Sequence, residues 1–147
     1  MDIRMTELRE RGSMALETAI IAPALVAVLL MVVGLGRVTL AHGAIDAAAR
    51  DAARQASIAR DPAAARSAAL SSARAALDRE GLACSPSVTV DTTGFSTPLG
   101  RPAVVVARVT CDVDLADLAV PGVPGSKRLT SSFSSPIDPH RARSGQP

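Results

Sequence analysis

Few side chains in this 147-residue sequence have the type and spacing to do chemistry, and most reactions are excluded at once. A serine nucleophile needs a base beside it. The only histidines are His42, just after an apolar run, and His140, in a polar tail, so a Ser-His arrangement is not expected. The chain has no phosphate-binding glycine loop, no Gly-x-Ser-x-Gly elbow and no His-Glu-x-x-His pair. Cys84 and Cys111 lack metal-ligand spacing and are far in sequence from both histidines, so neither a metal nor another cofactor is expected. Catalysis and a small-molecule substrate are therefore not supported. One unusual group remains: Glu17, a carboxylate at the head of a long uncharged apolar stretch.

That stretch organises the chain. No charged residue lies between Glu17 and Arg37, and the run from Thr18 to Gly36 is Ala, Val, Leu, Ile and Met with one Thr, one Pro and two Gly. As a helix it spans about 28 Å, close to the roughly 30 Å of bilayer hydrocarbon. Lipid cannot satisfy a free N–H or C=O, so a single segment crosses only as a helix. The sequence thus predicts a single-pass transmembrane helix with the lipid bilayer as its first partner. Arg4, Arg9 and Arg11 precede the span and place the N-terminus in the cytoplasm by the positive-inside tendency. Arg37 marks the far membrane boundary, its stem long enough to carry the charge to the interface. Pro23 removes one helical N–H and is expected to kink or loosen the helix. On physical grounds alone, Glu17 marks where the helix enters the membrane or needs a positive partner inside it.

The residues before and after this run carry a resemblance. Arg9-Glu10-Arg11-Gly12, then Ser13, then Glu17 five positions past Gly12, resemble the cleavage site of type IV pilin precursors. Pro23 six residues past Glu17, then Gly36-Arg37 and Ala48-Ala49-Arg50-Asp51-Ala52-Ala53-Arg54, resemble the TadE family of pilus-assembly proteins. Gly34 and Leu35 depart from the family pattern, which often has an acidic and an aromatic residue there. The resemblance implies a processing site at Gly12 and Ser13, cut by a prepilin peptidase. It also implies that Glu17 pairs with the freed amine of a neighbouring subunit. Its partners would be other pilin-like subunits and a pilus assembly platform, at a bacterial plasma membrane with the C-terminal part extracytoplasmic. The implied function is that of a minor pilin-like subunit in assembly of a tight-adherence (Flp) pilus or related secretion filament. Two other readings remain: an uncleaved membrane-anchored domain that binds a surface ligand, and a domain released by signal peptidase near Ala41-His42-Gly43.

Composition limits the rest. A net charge of +2, with Arg and Asp interspersed, gives no basic patch, and two Phe with no Tyr or Trp leave no platform for stacking bases, so nucleic acid is not expected as a partner. Alanine dominates and buries little area per residue, so about 107 residues outside the membrane segment would form a marginal domain. An even cysteine count in an exported domain favours a disulfide.

Past the span, Val38 to about Ala59 continues the helix, with Ile45, Ala48, Ala49, Ala52, Ala56 and Ala59 forming one weakly apolar stripe. Asp46–Arg50 and, further on, Arg74–Asp78 are spaced for i, i+4 ion pairs. Asp61-Pro62 reads as the N-cap and first residue of a second helix, which Gly81 stops. From Cys84 the period changes to two. Val88 and Val90 mark a short strand, a turn-rich loop runs from Thr93 to Pro102, and Ala103 to Leu115 is a strand with alternate residues buried. Placing Val90 opposite Val105 and Val88 opposite Ala107 sets Cys84 across from Cys111, close enough for a disulfide. Pro121 to Gly125 is a turn cluster, and Lys127 to Ile137 is a third strand with Leu129, Phe133 and Ile137 on one face.

The expected fold class is α+β: an N-terminal transmembrane helix continuing into an extracytoplasmic helix, a second helix and a small antiparallel β-sheet, a type IV pilin-like layout. The expected divisions are a leader at 1–12, the transmembrane helix at 13–40, the α+β domain at 41–138 and a flexible tail at 139–147.

Overall fold

The computed structural model describes residues 3–114, 116 and 125–140, with residues 3–16 described by backbone alone. Leu115, most of the Pro121–Gly125 cluster and the tail beyond His140 lie outside the described residues. The architecture is the expected α+β layout. Helix α1 runs from Ile3 to Ile58, 56 residues without interruption, and α2 from Pro62 to Arg79. Strands β1 (Ser87–Asp91), β2 (Ala103–Asp114) and β3 (Ser126–Ile137) form one antiparallel sheet in the order β1-β2-β3. The divisions expected at 12/13 and 40/41 both fall inside α1.

Local chemistry sets the helix ends. Asp61 is extended and its carboxylate accepts from the Ala64 N–H at 2.8 Å, with Pro62 at the first helical position. At the other end Gly81 takes φ +68°. That conformation lets Gly81 N–H reach Asp78 O (3.1 Å) and Leu82 N–H reach Leu77 O (3.0 Å), closing two carbonyls that the helix leaves open.

The core lies between the two helices and the sheet. From α1 it takes Ile45, Ala48, Ala49, Ala52, Ala53 and Ala56, and from α2 Ala65, Ala69, Ala73, Ala76 and Leu77. Paired alanines allow the two helices to pack closely. The bulk comes from Ile45, Leu77, Leu129, Val105, Val109 and Val113, each worth about 1.5–3 kcal/mol on full burial. Strand β2, the middle strand, alternates: Val105, Ala107, Val109, Cys111 and Val113 are buried, whereas Arg108, Asp112 and Asp114 are in solvent.

Two expectations need correction. The β1–β2 register is displaced by two residues: Val90 faces Ala107 and Val88 faces Val109. A two-residue shift keeps every side chain on its face, so alternation cannot distinguish the two registers. The loop decides it. The expected turn-rich segment contains a 3-10 turn, Thr93–Ser96, that buries Phe95. Gly94 lies so close to the Val104 carbonyl that a Cβ there would sit 2.2 Å from the oxygen. Second, neither i, i+4 pair closes. Among the described residues the inter-element ion pairs are Asp51–Arg79 (2.6 Å), joining α1 to α2, and Asp112–Arg128 (2.9 Å), joining β2 to β3. Leu129, Phe133 and Ile137 share one face of β3 as expected, with Leu129 and Ile137 buried and Phe133 46 % exposed.

Candidate functional site

The sequence marks Gly12, Ser13, Glu17, Pro23 and Arg37, and all five lie on α1. Gly12 and Ser13 fall where only backbone is described, and that backbone is helical. Ser13 and Glu17 are four positions apart, hence on the same face one turn from each other. The Glu17 side chain is exposed. From Thr18 to Leu40 the helix is bare except at Gly34 and the half-buried Val38, and large apolar side chains point outward all round it. At Ala41 the same helix becomes a core element. The bare length from Glu17 to Arg37 is about 30 Å, a bilayer's hydrocarbon thickness. It is a helix long and apolar enough to cross a membrane.

Two details shape this rod. Pro23 lies inside the helix, so the Ala19 carbonyl lacks its usual partner one turn on. Thr39 donates its hydroxyl to Leu35 O at 3.0 Å, so its polar atom is satisfied within the helix. Arg37 is exposed where the bare half ends. It lines a shallow hollow of about 250 Å³ with Leu40, Ala41, Ala44, Glu80, Gly81 and Leu82, where the end of α2 abuts α1. A cation there lies beside the negative end of α2's dipole.

Cys84 and Cys111 form a disulfide with Cα atoms 6.0 Å apart. The route differs from the expected one. Extending the observed ladder would place residue 84 opposite Val113, but the ladder starts only at Ser87, just after Pro86. Released from pairing, Cys84 reaches the buried Cys111 from outside the sheet. Among the described residues no cluster of His, Cys, Asp and Glu could hold a metal ion.

Sequence spacing did not signal two tertiary contacts. Arg79 of α2 reaches Asp51 of α1, and Ser135 donates to the buried Ser57 hydroxyl at 3.0 Å. Both join residues far apart in the chain, so no local pattern marks them.

A family model, that of TadE-like proteins, matches residues 12–54. The match begins at Gly12, covers the whole bare half of α1 and ends among the alanines and arginines of its packed half. No curated protein and no solved structure matches the chain.

Proposed function

We propose that this chain is a minor pilin-like subunit that takes part in assembling a tight-adherence (Flp) pilus or a related secretion filament. The observation that carries the reading is where the TadE-like match falls. It covers the one segment of α1 that is apolar and unpacked, together with Gly12 and Glu17 at its head. In this reading α1 is held in the bacterial plasma membrane, with the N-terminus cytoplasmic and residues 41–138 outside.

A prepilin peptidase cuts after Gly12 and removes the leader 1–12. The new amine of Ser13 then provides the positive charge that Glu17 needs in a low-dielectric environment. Since Ser13 and Glu17 share a helix face, a neighbour packed with a small axial offset can present its amine to that carboxylate. Such a pair fixes register between packed helices more than it adds stability. Pro23 loosens the rod six residues further on, and Arg37 ends the span. The protein acts by packing against other subunits and the assembly platform, not by catalysis.

The deciding experiment is the intact mass and N-terminal residue of the protein purified from its native membranes. A chain beginning at Ser13 supports the reading. A chain that retains residues 1–12 overturns the processing step and leaves α1 a plain anchor.

A further inference from the structure

Among the described residues strand β3 is an edge strand, so one row of its N–H and C=O groups has no strand there to pair with. Proline is tolerated in such a strand with its nitrogen facing the free edge. Pro136 thus sets the parity: Ser134, Ser132 and Thr130 turn their N–H and C=O outward. Proteins usually protect a free edge with charge, proline or brevity. Here Lys127 and Pro136 guard the two ends, while residues 129–135 between them, LTSSFSS, carry no charge. The opposite edge, β1, is only five residues long.

Beside this open edge lies a groove of about 570 Å³ between α1 and β3, lined by Ala47, Arg50, Asp51, Arg54, Phe133 and Ser135. Phe133 is its apolar floor. Its charge is unbalanced. Asp51 is engaged by Arg79 at 2.6 Å, whereas the side chains of Arg50 and Arg54 form no ion pair or hydrogen bond among the described residues. One turn apart on α1, these two guanidinium groups are exposed next to a half-exposed aromatic ring and an unpaired strand edge.

We propose that β3 accepts an added strand from a different polypeptide, an extended segment with Asp or Glu next to an apolar side chain. Its backbone pairs with the edge at residues 130–134. Its apolar side chain covers Phe133, and its carboxylate bonds to the forked donors of Arg50 and Arg54. Charge argues against a second copy of β3 in this place, since it would bring two pairs of arginines to one seam. Nothing in this surface depends on cleavage after Gly12 or on the filament assigned above.

The test uses the full chain in its native membranes, with photoreactive benzoylphenylalanine at position 132 on the free edge, leaving Phe133 intact. Mass spectrometry of the adduct should locate the crosslink in another polypeptide, within a few residues of an Asp or Glu. Arg50→Glu with Arg54→Glu should lower the yield about tenfold, and Lys in place of the partner's acid should restore it. Arg74→Glu, on the exposed face of α2, should leave the yield unchanged, and an intact disulfide in each variant confirms folding. The proposal is overturned by an adduct only with lipid, by an adduct with a second copy of this chain, by no adduct, or by a yield unaffected by the double charge reversal.

Discussion

Ser57, near the end of α1, accepts a hydrogen bond from the Ser135 hydroxyl of β3 at 3.0 Å, although 78 positions separate them. Ser57 also donates to the Arg54 carbonyl at 2.8 Å, so a buried hydroxyl is satisfied on both sides. It is the only polar residue among the buried described ones. Replacing it should cost about 0.5–1.5 kcal/mol, the usual net value of such a bond. Ser135→Ala should cost less, because Ser57 keeps its bond to Arg54. Denaturant unfolding of the full chain in detergent gives both numbers, and the reverse order would count against this account.

The disulfide should be the largest single contribution to folding outside the core. Cys84 and Cys111 are 27 positions apart, a separation that implies about 3–4 kcal/mol of lost unfolded-state entropy. A core built so largely of alanine has little to replace it. Reductant, or Cys84→Ser with Cys111→Ala, should shift the denaturant midpoint sharply downward. A shift of less than about 1 kcal/mol would mean that the unfolded chain is already compact.

Gly94→Ala should be among the most damaging single-methyl changes. The new Cβ would meet the Val104 carbonyl at 2.2 Å and Ile137 Cδ1 at 3.1 Å. The oxygen belongs to backbone in the central strand and cannot turn aside, so a loss of about 1–3 kcal/mol is expected. Gly36→Ala is the matched control, since a Cβ there meets nothing within 4 Å. Thermal unfolding by circular dichroism separates the two.

Acid should weaken the sheet. The Arg128 hydrogen bond holds Asp112 below the ordinary carboxylate value of 3.8, and the Thr93 backbone N–H does the same for Asp91. For a carboxylate whose folded pKa is lowered, the stabilisation is present above the unfolded pKa and is lost as pH falls through the folded one. The unfolding midpoint should therefore be flat near neutrality and fall below about pH 4. Both groups are exposed, so the decline should be shallow and salt-sensitive. Asp112→Asn should make it shallower still.

Glu17→Ala tests the proposed membrane pair directly. Carbonate extraction should find the variant as firmly held in the membrane as the parent, because its apolar run is intact. Its recovery in sheared filaments should fall at least about tenfold, since a buried charge left without its partner is strongly unfavourable. Equal loss of insertion and assembly would restore Glu17 to the role of a boundary residue.

Local signals in this sequence were legible and long-range ones were not. Asp61-Pro62 and Gly81 bound α2 as their capping chemistry requires, and the alternation through β2 assigned its buried face correctly. Each depends on neighbours within a few positions. The β1–β2 register depends instead on how Phe95 and Gly94 fold into the connecting loop, and a displacement of two leaves the alternation unchanged. Asp46–Arg50 and Arg74–Asp78 had suitable spacing but no need of each other in water. Asp51 and Arg79 had no suggestive spacing, yet the packing of α2 on α1 brings them together. At the candidate site, the TadE-like resemblance was readable at the head of α1 because it lies in spacing along one helix. The groove at Phe133 needs two elements and could not be read from either.

A helix that runs unbroken from Ile3 to Ile58 also transmits rotation. Each residue adds about 100° of azimuth and 1.5 Å of rise. The direction in which Glu17 points therefore fixes the compass bearing of the sheet, the groove and the disulfide at the other end. Whatever grips the bare half steers the packed half. A slip of one residue between gripped neighbours would lift the sheet by only 1.5 Å but turn it by more than a quarter of a circle. In the proposed reading α1 acts as an axle with a keyed end, whose keyway is the face on which Ser13 and Glu17 lie.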